Sequence, residues 1–368
     1  MDKIFETVKA LCERPGPAGR GGEYNRWLLN RWRSYSPDWK ILAPGNLVAK
    51  IGGSGKRILL TAHSDEIGFA VRSIHEEGFL AFGPLTPDRD GRPQRGMGLH
   101  VAGQPACVLG ENGQVDGVFV AATGHATTYE QRTSREIRWR DFWVDVGCSS
   151  RAECEALGIY PGTPIIWNPP TRRLGEHRIV GKAADDRAGL AIIEMVLEEL
   201  AGADPGCELW VAATVLEEIN AIGSWALGNW ASMRGEPFDL AVVIDVGLSC
   251  HCPSVSQADV PQKLGSGPVL VVKDNSTHYD IEGIRGLEAC AAKYGIATER
   301  ASYGVDGSYA SDGCRLMAFG IPSVLLVFPA AFTHSPFEMI DERDLLSLVD
   351  LIHHFVIEPD RWYDPLSG

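Results

Sequence analysis

Two adjacent glutamates, Glu217-Glu218, close the run Glu208-Leu209-Trp210-Val211-Ala212-Ala213-Thr214-Val215-Leu216. The run is apolar and β-branched and reads as a buried strand. Two carboxylates at the mouth of such a strand are costly unless something compensates them. The usual compensations are a metal ion or an acid/base role. A Glu-Glu pair is also an ordinary surface feature, so the reading depends on what else the chain offers. A second strand, Arg57 to Ala62, runs straight into His63-Ser64-Asp65-Glu66. The histidine can ligate a metal, and the aspartate two residues on can accept the other ring N–H. Gly181-Lys182-Ala183-Ala184-Asp185-Asp186-Arg187 opens a helix with Ala188, Ile192, Met195, Val196 and Leu200 on one side. Capping accounts for one of its two acids and leaves the other free. Leu240 to Ile244 is a strand ending at Asp245, and Ile321 to Phe328 is a strand followed by Thr333-His334-Ser335-Pro336.

In an open α/β sheet, ligand sites gather at the carboxyl ends of the strands. His63, Asp185, Glu217/Glu218, Asp245 and His334 are therefore expected to converge, although they span most of the sequence. Two histidines and three carboxylates suit two divalent ions, zinc first, with cobalt or manganese as alternatives. One carboxylate must bridge the ions, and the left-over glutamate of the pair becomes the general base.

The elements that position these residues follow from the remaining pattern. A first helix carries Ile4, Phe5, Val8 and Leu11 on one face and stops at Pro15-Gly16-Pro17. A second carries Tyr24, Trp27, Leu28 and Trp32 at i, i+3, i+4, i+8 spacing. Asn46 to Ile51 and Arg57 to Thr61 are two strands around Gly52-Gly53-Ser54-Gly55, which is expected to be a hairpin turn. From Val71 to Leu174 the texture changes to short alternating runs separated by Gly-, Pro- and Asp-rich turns such as Pro87 to Pro93. One helix, Ser150 to Leu157, interrupts them. This predicts a small β-rich domain, residues 71–174, inserted into a larger domain formed by residues 1–70 and 175–368. Its arginines Arg132, Arg135, Arg138 and Arg140 fit a solvated or subunit-contact face. The last helix begins near Asp341 and turns Leu345, Leu346, Val349 and Ile352 inward.

The 368 residues allow one large domain or two ordinary ones. A net charge of −14 argues against nucleic acid or an anionic membrane as partner. Nine irregularly spaced cysteines read as reduced thiols. Cys250-His251-Cys252 has no second pair at zinc-finger spacing. The charged, amphipathic N-terminal segment does not resemble a signal peptide, and no run reaches the roughly 18 apolar residues of a membrane span. A cytoplasmic protein is expected.

The motifs His63-Ser64-Asp65-Glu66-Ile67-Gly68-Phe69, Gly181 to Arg187, Glu217-Glu218, Asp245 and His334-Ser335-Pro336 resemble those of one peptidase family. It is the dinuclear metallo-aminopeptidase family of the glutamyl, deblocking and tetrahedral (TET) aminopeptidases, whose members are sometimes labelled endoglucanases. Pro15-Gly16, Gly45-Asn46-Leu47, Val146-Gly147 with Leu157-Gly158-Ile159, and Lys263 to Pro268 fit as well, so the likeness covers nearly the whole chain. The resemblance implies a three-layer α/β/α zinc-peptidase-like catalytic domain with an inserted barrel or PDZ-like domain that mediates dimerisation, the dimers often stacking into hollow dodecamers. It implies that Asp185 bridges two metals, that His63 and Asp245 hold one, and that Glu218 and His334 hold the other. It makes Glu217 the general base and Asp65 the residue that orients His63, with a peptide as substrate. The sequence departs from the family in two places. Ile219-Asn220-Ala221-Ile222-Gly223 stands for Val-Gly-Leu-Arg-Gly, and Ala331-Phe332-Thr333 for Arg-Tyr-Met. These departures leave the ligands intact and bear on the substrate.

A related two-metal amidohydrolase or deacylase with an N-blocked or non-peptide substrate would use the same core. A non-catalytic derivative of the fold would be expected to have lost Glu217 or a ligand, and all are present. A glycoside hydrolase needs two carboxylates flanking a sugar cleft, not a histidine-rich cluster.

Overall fold

The computed structural model describes residues 2–86, 100–123, 125–129, 138–304 and 309–364. At the centre of an eleven-stranded sheet, four strands lie parallel in the order Glu208–Thr214, Arg57–His63, Leu240–Leu248, Ser323–Ala331. Their residues are buried almost throughout. That is why they read as continuous apolar runs and not as alternation, since a strand covered on both faces has no polar side to show. Asn46–Gly52 and then Lys40–Leu42 extend one edge in antiparallel fashion. Glu338–Asp341, Arg178–Gly181 and Arg172–Leu174 extend the other, again antiparallel.

The glycine cluster at Gly52–Gly55 is not a hairpin turn. The two strands it joins are held apart by Glu208–Thr214, which pairs with both of them. An apolar strand buried on both faces also needs hydrogen-bond partners on both edges, and the gap between these two strands supplies them. Gly53 makes the connection possible: at φ 71°, a Cβ there would lie 1.8 Å from the Cys207 carbonyl oxygen.

Helix Ala184–Glu199 packs on Arg57–His63 and Leu240–Leu248, burying Ala188, Ile192 and Val196 completely. Helix Glu342–Ile357 is capped by the Asp341 carboxylate, which accepts from the Arg343 N–H at 2.9 Å. It buries Leu345, Leu348, Val349, Ile352 and Phe355, while Leu346 is half-buried at the margin. Burial of side chains of this size stabilises by about 1.5–3 kcal/mol each.

The β-rich segment forms a closed six-stranded barrel in the order Phe69–Ile74, Leu80–Pro84, Phe142–Asp145, Gly113–Ala121, Pro105–Gly110, Pro164–Trp167. Its strands begin two residues before the expected boundary and end at Trp167. Arg172–Leu174 pairs with Arg178–Gly181 and belongs to the large sheet. Phe69 is the hub of the barrel core, with ring contacts of 5.1–5.5 Å to Phe82, Phe119, Trp139 and Trp167. The turn from Pro87 to Pro93, Arg132 and Arg135 lie outside the described residues. Among the described residues no helix is long and apolar enough to cross a membrane.

Candidate active site

Parallel pairing sets Thr214 beside His63 and brings Asp245, on the next strand, to the same end of the sheet. His334 follows the fourth strand by three residues, and Asp185 enters from the start of helix Ala184–Glu199. The Asp185 carboxylate lies between two imidazoles. Its Oδ1 is 2.9 Å from His63 Nε2 and its Oδ2 is 3.3 Å from His334 Nε2. His334 Nε2 is also 3.4 Å from Glu218 Oε1, and His63 Nε2 is 3.9 Å from Glu217 Oε2. His63, Asp185 and Glu218 offer ligand atoms within 4.8 Å of one another, and so do His63, Asp186 and Asp245. Asp245 is steadied by the Ser311 hydroxyl, which donates to its Oδ2 at 2.6 Å. The Cys250-His251-Cys252 stretch is not part of this cluster; its cysteines are free, and the His251 ring rests 6.2 Å from that of Phe332.

The backbone around the site is strained. Among the described residues the non-glycine positive φ angles fall at Ala183, Leu216, Asn220, Ala221, Phe332 and His334, each a candidate ligand or within three residues of one in the chain. Such conformations cost about 1–3 kcal/mol each and persist where the surroundings enforce them. Buried hydrogen bonds tie the neighbouring elements together. Asp186 caps its helix through Oδ1, which accepts from the Gly189 N–H at 3.1 Å, and its Oδ2 accepts from the His63 N–H at 3.3 Å. Thr214 donates its hydroxyl to the buried Asp312.

Asp65 acts differently from the sequence expectation. The His63 Nδ1 partner is the main-chain carbonyl of Asp65 at 3.1 Å, while the carboxylate stands off at 3.7 Å, too far for a hydrogen bond. The carboxylate instead accepts from the Glu217 N–H at 3.1 Å and the Glu218 N–H at 3.3 Å. Fully buried Asp65 therefore clamps the turn that carries the glutamate pair. The sequence reading also passed over Glu338. Its carboxylate accepts from the N–H of His334 at 2.8 Å and the N–H of Asp185 at 2.9 Å. A charged residue opening the short buried strand Glu338–Asp341 was the available signal. Ser311 and Asp312 carried no such signal, because they lie in a loop.

The electrostatics are those of crowded, buried acids. Burial, with Asp185 adding its charge, pushes the Asp245 carboxyl up to about 8. Burial also carries Glu217 well above the usual carboxylate range, and Asp245 and Glu218 add to the shift. Asp185 goes the other way. Burial opposes its charge, but the hydrogen bonds from His334 and His63 hold it far below the usual range. Burial likewise disfavours a charged His334, yet Glu218 and Asp185 raise it to about 10. No lysine or arginine pairs with Asp185, Glu217, Glu218 or Asp245 among the described residues. Buried carboxylates whose basic partners among the described residues are imidazoles alone leave room for a metal cation, and the imidazole and carboxylate donors present suit borderline divalent ions.

Comparison with known proteins places the chain in a family. A family model described as M42 glutamyl aminopeptidase matches residues 45–351. The chain belongs to this family. It is a peptide-bond hydrolase with aminopeptidase activity. This M42 chain is 26% identical to the lysyl aminopeptidase of Pyrococcus furiosus over 351 residues, covering 94% of this chain and 95% of that protein. Among solved structures it is similar to the aminopeptidase APDkam598 of Desulfurococcus kamchatkensis, with TM-score 0.87 and 26% identity over 100% of this chain and 98% of that one. It is also similar to the TET1 peptidase of Pyrococcus horikoshii, with TM-score 0.84 and 26% identity over 96% and 99% of the two chains. That peptidase can assemble into a tetrahedron or a large octahedral shell.

Proposed function

We propose that this M42 peptidase removes N-terminal residues from peptides with two divalent ions held by His63, Asp185, Glu218, Asp245 and His334. The observation that carries the reading is Asp185, whose two carboxylate oxygens each face a different histidine. That placement would suit a bridging ligand, and the family resemblance would give His63 and Asp245 to one ion and Glu218 and His334 to the other. Asp186 is a poorer candidate, because main-chain N–H groups already occupy both of its oxygens. Zinc fits the donor set, and cobalt and manganese are the alternatives. Bound there, the ions supply Lewis acidity toward the scissile carbonyl and toward a water.

The protein's own part is positioning and proton transfer. Glu217 is the general base: it lies beside the cluster, 3.9 Å from His63 Nε2, and is not needed as a ligand. It takes a proton from the attacking water and delivers it to the leaving amine. Its raised affinity for a proton serves the second half of that transfer. The Asp65 clamp holds the base in place.

The same reading takes the parts flanking the barrel, expected at residues 1–70 and 175–368 and bounded in the fold by Phe69 and Trp167, as a three-layer α/β/α catalytic domain, and the barrel as the insert through which subunits pair. A homo-oligomer, dimer or dodecamer, follows by likeness to the assembling TET1 peptidase. The test is a paired assay on metal-loaded protein, with peptides bearing free N-termini in one arm and the same peptides N-acetylated in the other. Cleavage confined to the free set, abolished by a chelator and restored by metal, supports the aminopeptidase. Cleavage of the acetylated set moves the reading to a deacylase or deblocking enzyme.

A further inference from the structure

We infer that Glu338 is a positioning residue for the metal centre: its carboxylate ties the main chains of Asp185 and His334 together and so sets the span between a bridging ligand and a terminal one. The inference rests on the reading of those two residues as metal ligands. Asp185 and His334 come from different parts of the fold, one from a helix start and the other from a loop after a strand. Nothing in local sequence fixes their separation. Glu338 is placed to do so because it pairs with Gly181 across two antiparallel strands. It therefore lies four residues before Asp185 on one side, through its partner, and four residues after His334 in the chain.

Its two oxygens divide the work. Oε1 accepts from the His334 N–H at 2.8 Å, and Oε2 accepts from the Asp185 N–H at 2.9 Å. Both distances are those of strong N–H···O bonds. With both oxygens engaged by the main chain and the side chain 2% exposed, Glu338 is a tether and not a ligand. The tether also anchors the main chain of His334, which stands at φ 61°, a left-handed conformation uncommon outside glycine. Groups that orient metal ligands in this way typically govern metal affinity by about 10–100-fold.

The experiment compares the full-length wild type with E338Q and E338D. Each is stripped of metal and titrated with zinc or manganese against a chromophoric chelator, below its melting temperature as judged by far-ultraviolet circular dichroism. E338Q keeps the volume but turns an amide donor toward one main-chain N–H. E338D is a methylene too short to reach both. The expected result is folded protein whose metal affinity is weaker by about 10–100-fold for E338Q, with kcat reduced and KM for a free-N-terminus peptide little changed. Excess metal should restore part of the kcat. Where E338Q does not accumulate as folded protein, E338D carries the same measurement. A merely structural role would lower the melting temperature and leave the affinity of the folded fraction at the wild-type value, and that result overturns the inference. Failure of the wild type itself to bind two ions would instead overturn the metal reading beneath it.

Discussion

Replacement of Asp65 by asparagine separates two accounts of how the site is held. In the first, suggested by the spacing of His63 and Asp65, the carboxylate accepts the His63 ring N–H and acts on the ion bound by His63. In the second, taken from the geometry, the ring N–H goes to the Asp65 carbonyl at 3.1 Å and the carboxylate holds the Glu217 and Glu218 N–H groups at 3.1 and 3.3 Å. Asp65→Asn leaves the carbonyl untouched. It replaces one carboxylate oxygen with an NH2 group that meets a main-chain N–H head-on. One buried donor is left without an acceptor, at about 1–3 kcal/mol. If that cost is felt as displacement of the glutamate turn, it corresponds to about 5- to 150-fold in kcat.

The loss should appear on one side of the centre. Metal removed and returned in a chelator-competition titration is expected to show the Glu218–His334 site weakened and the His63–Asp245 site near its wild-type affinity. Steady-state kinetics should show the fall in kcat with KM for a short peptide little changed, because the base proposed at Glu217 would act on the transition state. The opposite pattern, with the His63–Asp245 site weakened and the other intact, would show that the carboxylate works through the imidazole and that the clamp is incidental. Equal affinity at both sites with undiminished kcat would remove Asp65 from both accounts.

Other outcomes can be stated briefly. Glu217→Gln is expected to keep both metals by elemental analysis and to lose on the order of 10²–10⁴-fold in kcat; activity equal to wild type would reassign the base. Chelation should abolish turnover and lower the melting temperature, since a ligand that binds only the folded state stabilises it, and a differential scan with and without metal checks this. In the metal-free protein the His334 imidazolium contributes stability that is fully present below the unfolded histidine value of 6.5 and is lost as pH rises through about 10. Metal must displace that proton and the one raised to about 8 on Asp245. Loading should therefore tighten from pH 6 to pH 8 and release protons, as calorimetry in buffers of different ionisation enthalpy would show. Phe69→Ala should destabilise the barrel by about 3–5 kcal/mol, because four aromatic rings close on Phe69; a denaturant midpoint near wild type would contradict that packing.

Much of this fold was legible because burial writes itself into composition. Arg57–His63, Leu240–Leu248 and Ser323–Ala331 are covered on both faces, so each reads as an apolar run ending near a polar residue. What failed was neighbour assignment. The order of strands is set by edges and crossovers, which leave little trace in local sequence, and so Gly52–Gly55 looked like a hairpin while Glu208–Thr214 lay between its strands. The same limit applied inside the site. The candidate ligands stand near or just past the ends of elements, where the pattern breaks visibly. Those that hold main-chain N–H groups, Glu338 and the Asp65 carboxylate, depend on which loops meet, and only the assembled fold shows that.

The departures from the family pattern follow the same logic in reverse. Asn220, where the resemblance leads one to expect glycine, stands at φ 62°, and asparagine is among the few residues besides glycine that accept the left-handed region readily. Gly223 is retained where a Cβ would lie 2.0 Å from the Val215 carbonyl oxygen. Backbone demand thus accounts for both positions in the turn after the glutamate pair without any change in chemistry. Phe332 is different. It is 45% exposed at φ 61°, two residues before His334. Neither burial nor backbone preference accounts for a phenylalanine there, since both favour other residues. Its ring lies 6.2 Å from that of His251; if it also meets substrate, Phe332→Ala should raise KM for some peptides of the free-N-terminus panel more than for others. A uniform change across the panel would mean that the ring serves the loop and not the substrate.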